Sequence, residues 1–176
     1  LIQKDRNTDL IHISYSTPKT QSRVYLYNLK TKEKKLVKEQ IIPSGHNPDN
    51  YIVERLDCDS HDGKKIPLTI IRNKKTKIDG NAKLLLYGYG SYGNSMSASF
   101  SSNKFSLIDR DIIWVTAHVR GGLERGMKWW KEGKLLNKKN TFKDYISVAK
   151  FLIEKKYSSK GKIIGMGGSA GGLLMG

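Results

Sequence analysis

The chain has 176 residues, 38% of them hydrophobic and 27% charged, which is ordinary for a globular protein and leaves room for one domain or parts of two. Thirty-two Lys and Arg face sixteen Asp and Glu, a net charge of +16, yet the lysines are scattered and no nucleic-acid motif accompanies them, so a solvated basic surface is expected rather than a nucleic-acid partner. No run is long and apolar enough for a membrane span, residues 1–6 do not read as a signal peptide, and Cys58 has no cysteine to pair with and no neighbours at metal-ligand spacing. No metal or cofactor is expected, and the cytoplasm is the default compartment.

Short strands come first. Residues 10–15, 23–29 and 34–38 alternate with polar turns, as in a β-meander or one blade of a propeller. Pro43-Ser44-Gly45-His46-Asn47-Pro48 breaks the pattern and marks the expected domain boundary. Runs 51–56 and 66–71 then flank Asp62-Gly63, a hairpin signal, because Gly tolerates positive φ. A charged loop occupies 73–80.

From Lys83 the texture changes. Runs 84–87, 112–117 and 162–166 are nearly continuously apolar, the pattern of strands buried on both faces of a parallel sheet. Between the last two, Phe142, Tyr145, Ile146, Ala149, Leu152 and Ile153 recur at helical spacing and predict an amphipathic helix. Thr141 is its expected cap, with Asp144 three residues on as a partial capping box. Strand, helix and strand make a βαβ unit and an α/β fold class.

The chemistry concentrates at the end of this unit. Gly167-Gly168-Ser169-Ala170-Gly171 matches G-x-S-x-G, the nucleophile elbow. Residues two before and two after a nucleophile on so sharp a turn must lack side chains, and the next backbone N–H can bind an oxyanion. Gly165 to Ala170 also satisfies G-x-G-x-x-A, a dinucleotide-binding turn, and a glycine-rich turn without chemistry fits as well. On the local motif alone all three readings stand open. The second oxyanion donor of a hydrolase comes from a loop after an earlier strand, and Tyr87-Gly88-Tyr89-Gly90-Ser91-Tyr92-Gly93 is such a loop.

Four ordered blocks together are specific: residues 87–93, His118 to Gly126, Gly133 to Asp144, and Gly167 to Gly176. In order and spacing they resemble the oligopeptidase B branch of the prolyl oligopeptidase family of serine peptidases. The resemblance implies a β-propeller joined to an α/β-hydrolase domain, with residues 1–46 as the end of the propeller and 47–176 as the first half of the hydrolase domain. It implies Ser169 as nucleophile, and Tyr89 and the Ala170 backbone N–H as oxyanion donors. Short peptides cut after Arg or Lys are the implied substrates, and the rest of the hydrolase domain is the implied partner. Two positions depart from the family pattern: Leu123 replaces a glycine, and Arg125 an apolar residue. A strained loop is expected if Leu123 needs positive φ. Arg120 and Glu124 are expected to form a structural ion pair.

Hydrolase triads run Ser, Asp, His, and His12, His46, His61 and His118 all precede Ser169. The chain is therefore expected to be a truncated piece of a larger peptidase, inactive alone. The alternatives are a basic fragment binding an acidic partner or nucleic acid, and a nucleotide-binding domain.

Overall fold

The computed structural model describes residues 7–176. Two sheets account for the strands. β1 (Leu10–Thr17), β2 (Thr20–Asn28) and β3 (Lys34–Glu39) form an antiparallel meander in sequence order. The second sheet contains β4 (Tyr51–Asp59), β5 (Lys65–Asn73), β6 (Lys83–Gly88), β7 (Ile112–Ala117) and β8 (Ile163–Met166), in the order β4-β5-β7-β6-β8. β4, β5 and β7 pair antiparallel, whereas β7, β6 and β8 are parallel. This is the mixed α/β class that the sequence implies. The Pro43–Pro48 break separates the sheets, and His46 bridges them: its Nε2 lies 2.8 Å from the Lys19 carbonyl, and its ring stacks on Tyr51.

Period-two alternation sends the β6 side chains into two cores. Leu84 and Leu86 face one core with Ile113, Val115, Ile66 and Leu68, covered by helix α3 (Lys139–Glu154) through Val148 and Leu152. Leu85 faces the other with Trp114, Ile71, Phe105 and Ile108, covered by helix α1 (Ser102–Ile108). Each fully buried Leu or Ile contributes about 1.5–3 kcal/mol, so the central strands anchor the domain.

Three expectations are corrected. β8 is not buried on both faces: Ile164 is 51% exposed and Met166 46%, because β8 lies at an edge of the sheet among the described residues. Helix α3 starts at Lys139, so Thr141 sits inside its first turn and is no cap; its hydroxyl donates instead to the Arg120 carbonyl, at 2.8 Å. The buried face of α3 is Thr141, Asp144, Val148 and Leu152, whereas Ile146 and Ile153 are exposed. This rotation packs Val148 and Leu152 into the core and brings Asp144 to a buried arginine. The hairpin expected at Asp62-Gly63 is present: residues 60–64 join β4 to β5, with Gly63 at φ 76°. Two helices, α1 and α2 (Met127–Lys131), lie in stretches with no sequence expectation.

Candidate active site

β8 delivers the chain to a sharp bend. Gly168 is still extended, Ser169 turns to φ 53°, a 3-10 turn covers Ser169–Gly171, and helix α4 follows over Gly172–Met175. A left-handed backbone costs a non-glycine residue roughly 1–2 kcal/mol, and Ser169 is one of six such residues among those described. The flanking glycines show why the bend needs them. A Cβ on Gly167 would lie 2.2 Å from the Gly171 carbonyl oxygen, and one on Gly171 would lie 2.8 Å from the Gly88 oxygen. Gly168, between them, has open space around it. The Ser169 side of the bend is exposed to solvent.

Tyr89 follows β6 and packs against this bend. Its Cδ2 would lie 3.3 Å from a Cβ on Gly171. The loop that carries it is held by backbone-to-backbone packing. Gly121, at φ 101°, approaches so closely that a Cβ there would lie 1.9 Å from the Gly90 oxygen, and the Gly93 N–H donates to the Gly121 carbonyl at 3.0 Å. Lys138 Nζ donates to the Gly90 carbonyl (2.6 Å) and to Ser91 Oγ (2.8 Å). Beneath the loop, the Tyr145 hydroxyl donates to the Leu86 carbonyl at 2.6 Å, and burial pushes its phenol pKa up to about 12.

The expected Arg120–Glu124 pair is absent. Arg120 is 1% exposed and turns to Asp144, which is fully buried, through Nη2 at 2.6 Å and Nε at 2.8 Å. Its Nη1 meets Asp62 at 2.6 Å. Burial pulls the Arg120 pKa down, but the bonds to Asp144 and Asp62 outweigh it and hold the pKa above the usual arginine value. Burial likewise raises Asp62, yet the guanidinium prevails and holds that carboxyl below its ordinary range. Two carboxylates on distant elements satisfy a five-donor fork better than one neighbour four residues away. Glu124 instead accepts the Met96 N–H at 2.8 Å and lies 3.7 Å from His118 Nδ1. Leu123 has no positive φ, so the substitution there brings no backbone strain of that kind. Arg125 pairs with Asp57 at 2.9 Å.

The bend thus joins Ser169, Tyr89 and Ala170 in one neighbourhood. The four histidines are engaged elsewhere. His12 is in β1, and His46 bridges the sheets. His61 Nδ1 lies 3.1 Å from Ser60 Oγ, and buried His118 places Nε2 2.9 Å from Thr69 Oγ1. Among the described residues no group of His, Cys, Asp and Glu is arranged to hold a metal, and no helix is long and apolar enough to cross a membrane. The Arg120–Asp62–Asp144 junction escaped sequence reasoning because its members lie 58 and 24 positions apart.

Comparison with known proteins fits this geometry. Residues 98–176 match the prolyl oligopeptidase family. The chain is 44% identical over 173 residues to dipeptidyl aminopeptidase BI of Pseudoxanthomonas mexicana, covering 98% of this chain and 24% of that protein. It is 37% identical over 176 residues to Protease 2 of Moraxella lacunata, covering all of this chain and 26% of the relative. The solved oligopeptidase B from Leishmania major superposes with a TM-score of 0.85 at 35% identity, over 97% of this chain and 24% of that one. The chain therefore spans about a quarter of the length of the relatives it matches. In fold, motif order and sequence together, this chain is similar to proteins of the prolyl oligopeptidase family.

Proposed function

We propose that Ser169 is the acyl nucleophile of a serine endopeptidase of oligopeptidase B type, acting on short peptides after Arg or Lys. The observation that carries this reading is the left-handed Ser169 at the apex of a bend closed by Gly167 and Gly171, with Tyr89 packed beside it. In this reading the Ser169 hydroxyl attacks the scissile carbonyl. The developing oxyanion accepts hydrogen bonds from the Tyr89 hydroxyl and the Ala170 backbone N–H, and the amine leaves with a proton. Residues 1–46 are then the end of a propeller and 47–176 the first half of a hydrolase domain, which the two separate sheets support. The substrate side rests on resemblance to relatives such as Protease 2. A cytoplasmic location belongs to the same proposal.

The dinucleotide reading fits less well. Gly165 lies inside β8, paired with Leu86, whereas the first glycine of a dinucleotide fingerprint makes the tight turn itself.

A proton acceptor for Ser169 is not among the placed histidines, and a serine hydroxyl without a base is a weak nucleophile at neutral pH. The isolated chain is thus expected to hydrolyse no peptide. The test is a graft in which these 176 residues replace the matching stretch of the Moraxella lacunata Protease 2. The graft is expected to cleave peptides after Arg or Lys and to lose at least about a thousandfold of kcat on Ser169→Ala. Undiminished activity in Ser169→Ala would overturn the nucleophile assignment. Preference for cleavage after Pro, or removal of dipeptides from the N-terminus, would overturn the substrate assignment alone.

A further inference from the structure

Beside the bend lies a second feature that the hydrolytic reading does not use. A cavity of about 430 Å³ opens between the loop after β6, the segment before α3 and helix α4. Its apolar walls include Tyr92, Trp130, Leu135 and Leu173. Tyr92 is 78% exposed and Leu135 82%, so these side chains are not core residues.

Two lysines, Lys134 and Lys138, line the same space. Lys134 Nζ sits 3.6 Å from the centroid of the Trp130 ring. Lys138 is partly buried, and its Nζ is bonded only to neutral acceptors, Gly90 O and Ser91 Oγ. Neither lysine is in an ion pair with a carboxylate among the described residues. An ammonium has three donors, and a partly desolvated cation without a counter-ion favours an incoming anion. Burial accordingly holds the Lys138 pKa below the ordinary lysine value. An anion alone would not need the apolar walls, and an apolar ligand alone would not need the two cations. A ligand with both properties fits: an apolar side chain on a residue that ends in a carboxylate.

Ala170 also lines this cavity, which places it directly beside the nucleophile. We propose that the groove is a subsite for the apolar C-terminal residue of a short peptide, its free carboxylate held by Lys134 and Lys138. This assignment rests on the reading of Ser169 as the nucleophile. The subsite would favour peptides ending a fixed distance from the bond that is cut. Two charge-assisted bonds from separate lysines read the terminus, and the aromatic and leucine walls read the side chain.

The probe is N-acetyl-leucine, with N-acetyl-leucine amide as the uncharged control, titrated into the isotope-labelled 176-residue chain and followed by NMR. The acid is expected to bind saturably with Kd on the order of millimolar, as its size allows. Shifts should centre on Tyr92, the Trp130 indole, Leu135, Ala170 and Leu173. The amide should bind about tenfold more weakly, the effect of losing a charge-assisted bond. Lys134→Met should weaken the acid to a similar degree, and Lys134→Arg should restore it. Lys134 is the better position to vary, because Lys138 also holds the Tyr89 loop.

Equal binding of acid and amide, shifts elsewhere, or no saturation would overturn the subsite. If Lys134→Met does not fold, the comparison of acid with amide in the unsubstituted chain decides the matter. The titration makes no bond at Ser169. An active graft without an acetyl-leucine site would overturn only the subsite, and saturable binding beside an inert Ser169 would overturn only the peptidase reading.

Discussion

At residue 169 the backbone itself is unusual: a serine occupies a conformation that glycine prefers, and two glycines with no room for a methyl group hold it there. The crowding is specific enough to test without any catalysis. Gly167→Ala is expected to destabilise the chain by about 1–3 kcal/mol, because its Cβ would collide with a carbonyl that cannot move freely. Gly168→Ala, one position on and facing open space, should change stability by less than about 0.5 kcal/mol. Urea unfolding of the two variants checks the contrast. Equal effects would mean that the bend is not closed as described. Tyr89 is testable in the graft, where Tyr89→Phe keeps the ring and removes the hydroxyl. A loss of kcat of about 10²-fold is expected for one oxyanion donor, with KM little changed.

Among the elements, α3 and the loops around it are organised by Arg120. A buried guanidinium bonded to Asp144 in α3 and to Asp62 in the β4–β5 turn ties three distant pieces of chain beneath the Tyr89 loop. Asp144→Asn removes the fully buried partner and leaves the cation with only the more exposed Asp62, and is expected to cost about 3 kcal/mol in chemical denaturation. Replacing Arg120 by Met together with Asp144 by Leu should cost less than Asp144→Asn alone, since no charge is then left buried. The strands and the presence of α3 were legible in the sequence because burial on two faces and helical spacing leave direct apolar signatures. The rotation of α3 was not. Its buried face includes Asp144 and Thr141, polar residues whose partners, Arg120 and its carbonyl, are 24 and 21 positions away. The exposure of β8 was hidden too, because Ile163 and Ile164 read as apolar whether or not a neighbour covers them. The elbow was legible as a motif, but its strain and its contact with Tyr89 required the fold.

Over the whole molecule, alkaline pH should be a weak point. Burial raises the phenols of Tyr145 and Tyr157 to about 12, and burial with Asp109 beside it raises Tyr51 further. Unfolded tyrosines ionise near pH 10, so above that the folded state binds more protons than the unfolded state. This stabilisation is complete below about pH 10 and falls as pH rises through the folded values. Urea midpoints should therefore be level between about pH 8 and 9 and decline beyond pH 10; a flat profile to pH 12 would contradict the burial of these rings. Function at this scale depends on the graft, because the chain matches only about a quarter of each relative. The most direct measurement is the site of covalent labelling: the graft is treated with a fluorophosphonate, digested, and the modified residue located by mass spectrometry. The adduct is predicted on Ser169 in the graft and on no residue of the isolated chain. An adduct on another serine of the graft, or strong saturable labelling of the isolated chain, would contradict the account.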